Sequence, residues 1–306
     1  NISMLYVPCL VWGLMYLIRG GLSEESILEG EITESGKQKL AEICRPPDQC
    51  NSTNVFGFDI DCYSLIDSKR KILMEFTPKA SCTSAVVGFF KVMGLEHEVD
   101  YVGWPHDFRD KYFHNSCGRA TPCHYVDPQW FRWKIVRNPY DRAVSNYLYC
   151  MVAKVIRNVL PLSLVDVSFE EFIDYLLLLP ENYLHLFLGR HAGPQIQAYE
   201  RHAYENHLPP VFNVVVKVEE SEIGLQKIFD QVGVKYDLKH VSKHYRKRDH
   251  SIQRYVGNLT WLQVKDQVPH NYGYFYSKEL IKKVESLYKW DLQLYNYTYP
   301  FFTPNF

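Results

Sequence analysis

The chain has 306 residues, enough to bury a sizeable core as one large domain or two small ones. Its 46% apolar and 15% aromatic content excludes disorder over most of its length. A formal net charge of -1 argues against a protein that wraps nucleic acid, yet leaves room for a local cluster that takes a small anion.

The chain opens with ISMLYVPCLVWGLMYLI, Ile2 to Ile18, which is apolar with no charge before Arg19. It sits at the short edge of a membrane span and Pro8 interrupts a straight helix, so it reads either as a buried segment or as membrane or processing sequence. Polar residues follow, with a short helix expected from about Ser35 to Ile43 and stopped by Pro46 and Pro47. Residues 1–68 are therefore read as an N-terminal extension packed on or leading into a main domain over 69–306. Glycosylation triplets at Asn1, Asn51, Asn258 and Asn296 are compatible with a secretory route. Eight cysteines are compatible with disulfides there; Cys44 with Cys50 and Cys117 with Cys123 are the short-range candidates. Cys82 is left out, because it lies in a candidate ligand loop. No Cys/His spacing resembles a zinc site, and no metal is expected.

KRKILMEF, Lys69 to Phe76, reads as a strand, and TSAVVGFFKVMG, Thr83 to Gly94, as the helix after it, with Gly94 as stop signal. The arrangement repeats downstream. Phe131 to Val136 is strand-like, Asn138-Pro139 makes a turn, and a helix starts near Tyr140 with Asp141 favouring its dipole. Ser168 to Pro180 is a helix with a capping box of Ser168 and Glu171. Val211 to Glu220 is a third strand, followed by a helix from about Ser221 to Val232, and Ser277 to Tyr297 opens with another helix. Strands alternating with helices predict an α/β fold: a single P-loop-like domain with a central, mostly parallel sheet flanked by helices.

Two of the strand–loop–helix units suit anions. In EFTPKASCTS, Lys79 follows Pro78 with a mobile positive charge, and Cys82, Thr83 and Ser84 fall where the next helix presents unpaired amides. No glycine precedes that helix. The pattern GxxxxGK[ST] and acidic magnesium ligands are also missing, which disfavours a kinase. In IVRNPYDRAVSNYLY, Arg137 ends a strand and Ser145 lies eight residues on along a helix, so both could reach one phosphate. Arg142 reads by default as salt-bridged or surface-exposed. Two such sites suggest a ligand phosphorylated at two places.

FTPKASCTS resembles the 5′-phosphosulfate loop of sulfotransferases that use 3′-phosphoadenosine 5′-phosphosulfate, with Ser81 in place of the family's usual glycine. IVRNPYDRAVSNYLY strongly resembles their 3′-phosphate element. The resemblance implies that Lys79, Ala80, Ser81, Cys82, Thr83 and Ser84 hold the 5′ phosphosulfate and that Arg137 and Ser145 hold the 3′ phosphate. RHAGPQ (Arg190 to Gln195), VVVKVEE (Val214 to Glu220) and YSKELIKKVESLYKWDLQLYNY (Tyr276 to Tyr297), with its Tyr-x-x-Asp-x-x-x-[Phe/Tyr] ending, resemble segments of the Golgi carbohydrate sulfotransferases. A luminal enzyme acting on a carbohydrate hydroxyl is implied, with a possible membrane tether at or before the N-terminus and no nucleic-acid partner. A cytoplasmic enzyme, a tyrosine or small-molecule acceptor, and a silent binding protein on the same scaffold are the alternatives. In-line sulfuryl transfer would use Lys79 on the bridging oxygen and a general base for the acceptor proton. The family often places that base between the two motifs, where His106, in VGWPHDFRD, is the first candidate and His124 the second. His124 and His191 are further candidates for orienting substrate. The basic run KHYRKR brings Lys243 and Arg246 forward as late contacts to the 3′ phosphate, against a solvated basic face.

Overall fold

The computed structural model describes residues 32–44, 63–152, 166–180, 184, 191–235 and 249–301. The apolar segment Ile2–Ile18 and the basic residues Lys243 and Arg246 lie outside them. Among the described residues, no helix is long and apolar enough to cross a membrane.

Four strands form one sheet in the order β1 (Ser64–Asp67), β2 (Ile72–Phe76), β3 (Phe131–Val136) and β4 (Val214–Lys217). β2, β3 and β4 run parallel, while β1 pairs antiparallel with β2. The mixed α/β sandwich read from the alternation of elements is present. β1 was not expected, and it lies upstream of the domain start drawn at residue 69. A tight turn makes it: Asp67 Oδ1 accepts from the amides of Lys69 and Arg70, and Lys71 takes a left-handed φ of 56°.

Alternation along the strands builds two cores. Ile72, Met74 and Phe76 of β2 and Trp133 and Ile135 of β3 point to one face, where they pack with α1 (Glu34–Ile43), α2 (Cys82–Val92) and α6 (Ser221–Gln231). Leu73 points to the other face, toward Tyr125, Tyr199 and Phe212. Tyr199 belongs to α5 (Ala198–Glu205). A third core gathers α3 (Pro139–Val152), α4 (Phe169–Leu178) and α7 (Lys278–Leu287) around aromatic rings of Tyr147, Phe169, Phe275 and Tyr276. α4 carries the expected capping box, with Ser168 Oγ accepting from the Glu171 amide and Glu171 accepting from the Ser168 amide. α8 (Lys289–Leu294) closes the described helices.

Cys44, just after α1, is bonded to Cys117 at the end of the short helix His114–Cys117, with Cα atoms 4.5 Å apart. The two short-range pairings expected from spacing are thereby corrected. The sheet folds the chain back so that cysteines 73 residues apart meet, which local turn content does not reveal. Cys82 is a free thiol, as the loop position implied. Opening this long covalent loop with Cys117→Ser should lower stability by about 2–4 kcal/mol, read as a lower urea midpoint in non-reducing buffer.

Candidate active site

Phe76 of β2 is in register with Ile135 of β3, so the loop Thr77–Ser81 and Arg137 emerge side by side at the carboxyl edge of the sheet. The two units read separately from the sequence thus converge. Arg137 NH1 donates to Lys79 O at 3.3 Å. The missing glycine is replaced by strain: Lys79 and Ser81 take φ of +67° and +50°, left-handed values costly for residues with a Cβ. The turn swings the chain into α2 with Ser81 at the N-cap, where its hydroxyl makes no capping bond to the first-turn amides. Cys82, Thr83 and Ser84 are half-buried there. Ala80 is buried, and its amide is spent inside the turn on Thr77 O at 3.2 Å. Thr77 Oγ1 is buried without a partner, an orphaned hydroxyl at the root of the loop.

α3 presents Asp141, Ser145 and Tyr149 at four-residue intervals, all half-buried on one face. Asp141 lies 3.9 Å from Arg137 NH2, and the Lys79 ammonium sits 4.4 Å from the Tyr149 ring centroid. Ser145 lies on this helix face between the two residues that meet the cations. His191 stacks on Tyr149, its ring centroid 4.7 Å away and its plane nearly parallel. Arg142, expected at the surface or in a salt bridge, is instead fully buried among carbonyls. It donates to Pro78 O at 3.1 Å, Gly193 O at 2.6 Å and His191 O at 3.2 Å.

His106 lies beside the start of α2. Its Nε2 is 3.1 Å from Thr83 Oγ1, and Arg109 NH1 lies 2.7 Å from its Nδ1. Burial first, and Arg109 next, push its pKa down to about 3, with Asp110 opposing and His191 close enough to lower it further. His124 has a different setting. It is buried, its Nδ1 accepts from the Thr121 amide at 2.7 Å, and its ring meets Trp130 edge-on at 4.4 Å, so it caps the helix Pro122–Val126.

Residues not singled out as functional form the mounting of Arg137. Gln195 brackets its backbone, Oε1 accepting from the Arg137 amide at 2.8 Å and Nε2 donating to its carbonyl at 2.7 Å. Fully buried Asp291 accepts from the amides of Gln195 and Ile196 at 2.9 and 2.8 Å. Glu219 accepts from the Asn138 amide at 2.8 Å, and Tyr288 donates to Ala192 O at 2.8 Å. Gln195, Glu219, Tyr288 and Asp291 belong to the three segments quoted above. Polar residues at fixed offsets inside otherwise buried segments were the available signal.

The donor set fits an anion charged at two places: a lysine, an arginine, three hydroxyls and an uncapped helix start at one sheet edge. Among the described residues, no three His, Cys, Asp or Glu side chains gather as a metal site. A profile described as the sulfotransferase family matches residues 64–298. No match was found among curated proteins or among solved structures.

Proposed function

The chain belongs to the sulfotransferase family, and from that premise we propose that it transfers a sulfuryl group from 3′-phosphoadenosine 5′-phosphosulfate to a carbohydrate hydroxyl in the secretory pathway, in the Golgi lumen. The observation that carries the reading is the register of β2 and β3, which sets the Lys79 loop against Arg137. The nucleotide supplies the activated sulfuryl group. Lys79 and the amides of Cys82 to Ser84 hold the 5′ phosphosulfate, and Arg137 with Ser145 holds the 3′ phosphate. Lys79 is also the cation placed to stabilise charge developing on the leaving oxygen. The luminal and carbohydrate readings draw support from the Cys44–Cys117 disulfide, from the exposed asparagines of the triplets at Asn258 and Asn296, and from the way the Golgi-like segments meet around Arg137.

The test is labelled-sulfate transfer across glycan, steroid, phenol and peptide acceptors. Lys79→Ala should lower kcat by about 10²-fold, since it removes a charge felt most in the transition state. Arg137→Ala should weaken nucleotide binding by roughly ten- to a hundredfold, the worth of a charge-assisted hydrogen bond. Full activity in both variants would remove the site. Transfer to phenols or peptides alone would remove the carbohydrate acceptor.

A further inference from the structure

The environment of His106 gives it a task other than proton acceptance. Arg109 NH1 lies 2.7 Å from its Nδ1. A guanidinium keeps its protons and has no acceptor, so Nδ1 must be the accepting atom. The proton of the neutral ring is therefore on Nε2, facing Thr83 Oγ1 at 3.1 Å and Cys82 Sγ at 3.9 Å. Arg109 is itself pinned. Its Nε and NH2 are each 2.8 Å from a different oxygen of Asp110, in a forked pair. Its guanidinium lies over Phe76 at 5.2 Å and Tyr63 at 5.9 Å, and the residue is 7% exposed. Asp110 also faces His114 Nδ1 at 3.7 Å, so several elements fix the pair.

For Nε2 to take a proton, the ring would need the opposite tautomer, with Nδ1–H and the Arg109 N–H facing each other at 2.7 Å. Direct opposition of two donors forbids it. A hydroxyl that accepts from His106 must turn its own proton elsewhere, and Thr83 is in the first turn of α2, where amides await an anion.

We propose that Arg109, His106 and Thr83 form a one-way donor relay that aims the Thr83 hydroxyl proton at an oxygen of the 5′ phosphosulfate, with His106 as a positioning residue and not the general base. The relay rests on the sulfotransferase reading of the loop. The low basicity of the ring follows from the same contacts, with burial and Arg109 against the charged form and Asp110 only partly offsetting them. The imidazolium would set an Nδ1–H against the same Arg109 N–H, so the ring stays neutral and acts only as a donor through Nε2. The acceptor proton then goes to another group.

Nitrogen-15 NMR of histidine-labelled full chain, with and without adenosine 3′,5′-bisphosphate, reads the relay independently of turnover. The expected result is a bare Nδ1, a protonated Nε2 and no titration of His106 across neutral pH in the nucleotide-free protein. An Nδ1–H tautomer, or a ring that titrates near the ordinary histidine value, overturns the proposal. His106→Gln keeps a donor toward Thr83 and should retain kcat within about tenfold, whereas loss of a general base costs about 10²–10⁴-fold. Its pH–rate profile should keep the acid limb of the wild type. A Gln variant as inactive as His106→Ala, with that limb gone, makes His106 the base and also overturns the relay. If the wild type transfers no sulfate at all, the NMR result still decides the tautomer, so failure of the activity and failure of the relay are distinguishable.

Discussion

Arg142→Met should destabilise the protein by about 3–5 kcal/mol and abolish transfer in whatever fraction remains folded. The guanidinium is completely buried and serves carbonyls from two separate segments, Pro78 on one side and His191 and Gly193 on the other. Methionine fills much of the volume but takes the arginine's donors away from two buried carbonyls, Pro78 O and Gly193 O, and from the half-buried His191 O, each buried one costing about 1–3 kcal/mol before relaxation. The damage is not confined to stability. Pro78 immediately precedes Lys79, whose ammonium rests on Tyr149, and His191 stacks on the same ring. Arg142 and Tyr149 share α3, so the arginine locks both flanking segments to the helix that displays Ser145. Arg142→Lys keeps the charge but concentrates its donors at one point, and one ammonium cannot span three carbonyls. Its stability should fall between the wild type and Arg142→Met. Urea denaturation gives the order of the three proteins, and nucleotide titration of the folded variants shows whether the loop is displaced. Wild-type stability for Arg142→Met would mean that the three carbonyls find other donors.

That arginine also marks a boundary of what the sequence reveals. The strand–loop–helix units were legible because they are local: apolar runs followed by Pro and hydroxyl residues at a helix start. Arg137 and Ser145 were legible because a helix that starts directly after a strand end folds back beside it, bringing its first turns toward the residue that ends the strand. Ser81 and Lys79 hid their geometry, since a left-handed turn without glycine has no composition signal, only a steric cost borne by the surrounding structure. Arg142 looked like any charged residue on an amphipathic helix. Its burial depends on carbonyls from segments far away in sequence, and the Cys44–Cys117 pairing was invisible for the same reason. His106 was found as a loop histidine, yet its protonation pattern is set by Arg109 three residues on and by Thr83 of another element. Local chemistry identified the side chain, and only tertiary contacts gave its hydrogen-bonding role.

Lys134 is the other buried cation whose loss should be severe, and its case adds a pH signature. It is fully buried on β3, opposite Glu75 of β2 in the parallel register, and also bonds Glu200 of α5. Tyr125 and Tyr199 donate to Glu75, Tyr295 donates to Glu200, and Lys134 itself reaches Gln195 O at 2.7 Å. Gln195 is the residue that brackets Arg137, so the cluster also anchors the proposed 3′-phosphate arginine. One lysine serves two carboxylates, and the excess negative charge falls on Glu200. Burial outweighs the attraction of Lys134, and with repulsion from Glu75 the Glu200 carboxyl is pushed up from 4.5 to about 7. Lys134 stays protonated, because Glu200 and Glu75 outweigh the burial that opposes its charge. Lys134→Met should therefore cost about 3–5 kcal/mol by stranding the carboxylates, and adding Glu200→Gln should restore part of it. The sign of the pH effect follows from proton counts. Between 4.5 and about 7, folded Glu200 keeps a proton that the unfolded chain has released, so the folded state binds more protons and unfolding free energy falls as pH rises. The contribution is fully present below 4.5 and is lost as pH passes through about 7. Urea denaturation of wild type and Glu200→Gln over that window should show a slope in the first that is reduced in the second. Equal slopes would mean that Glu200 is ionised throughout and that its charge is balanced by a group other than its own proton.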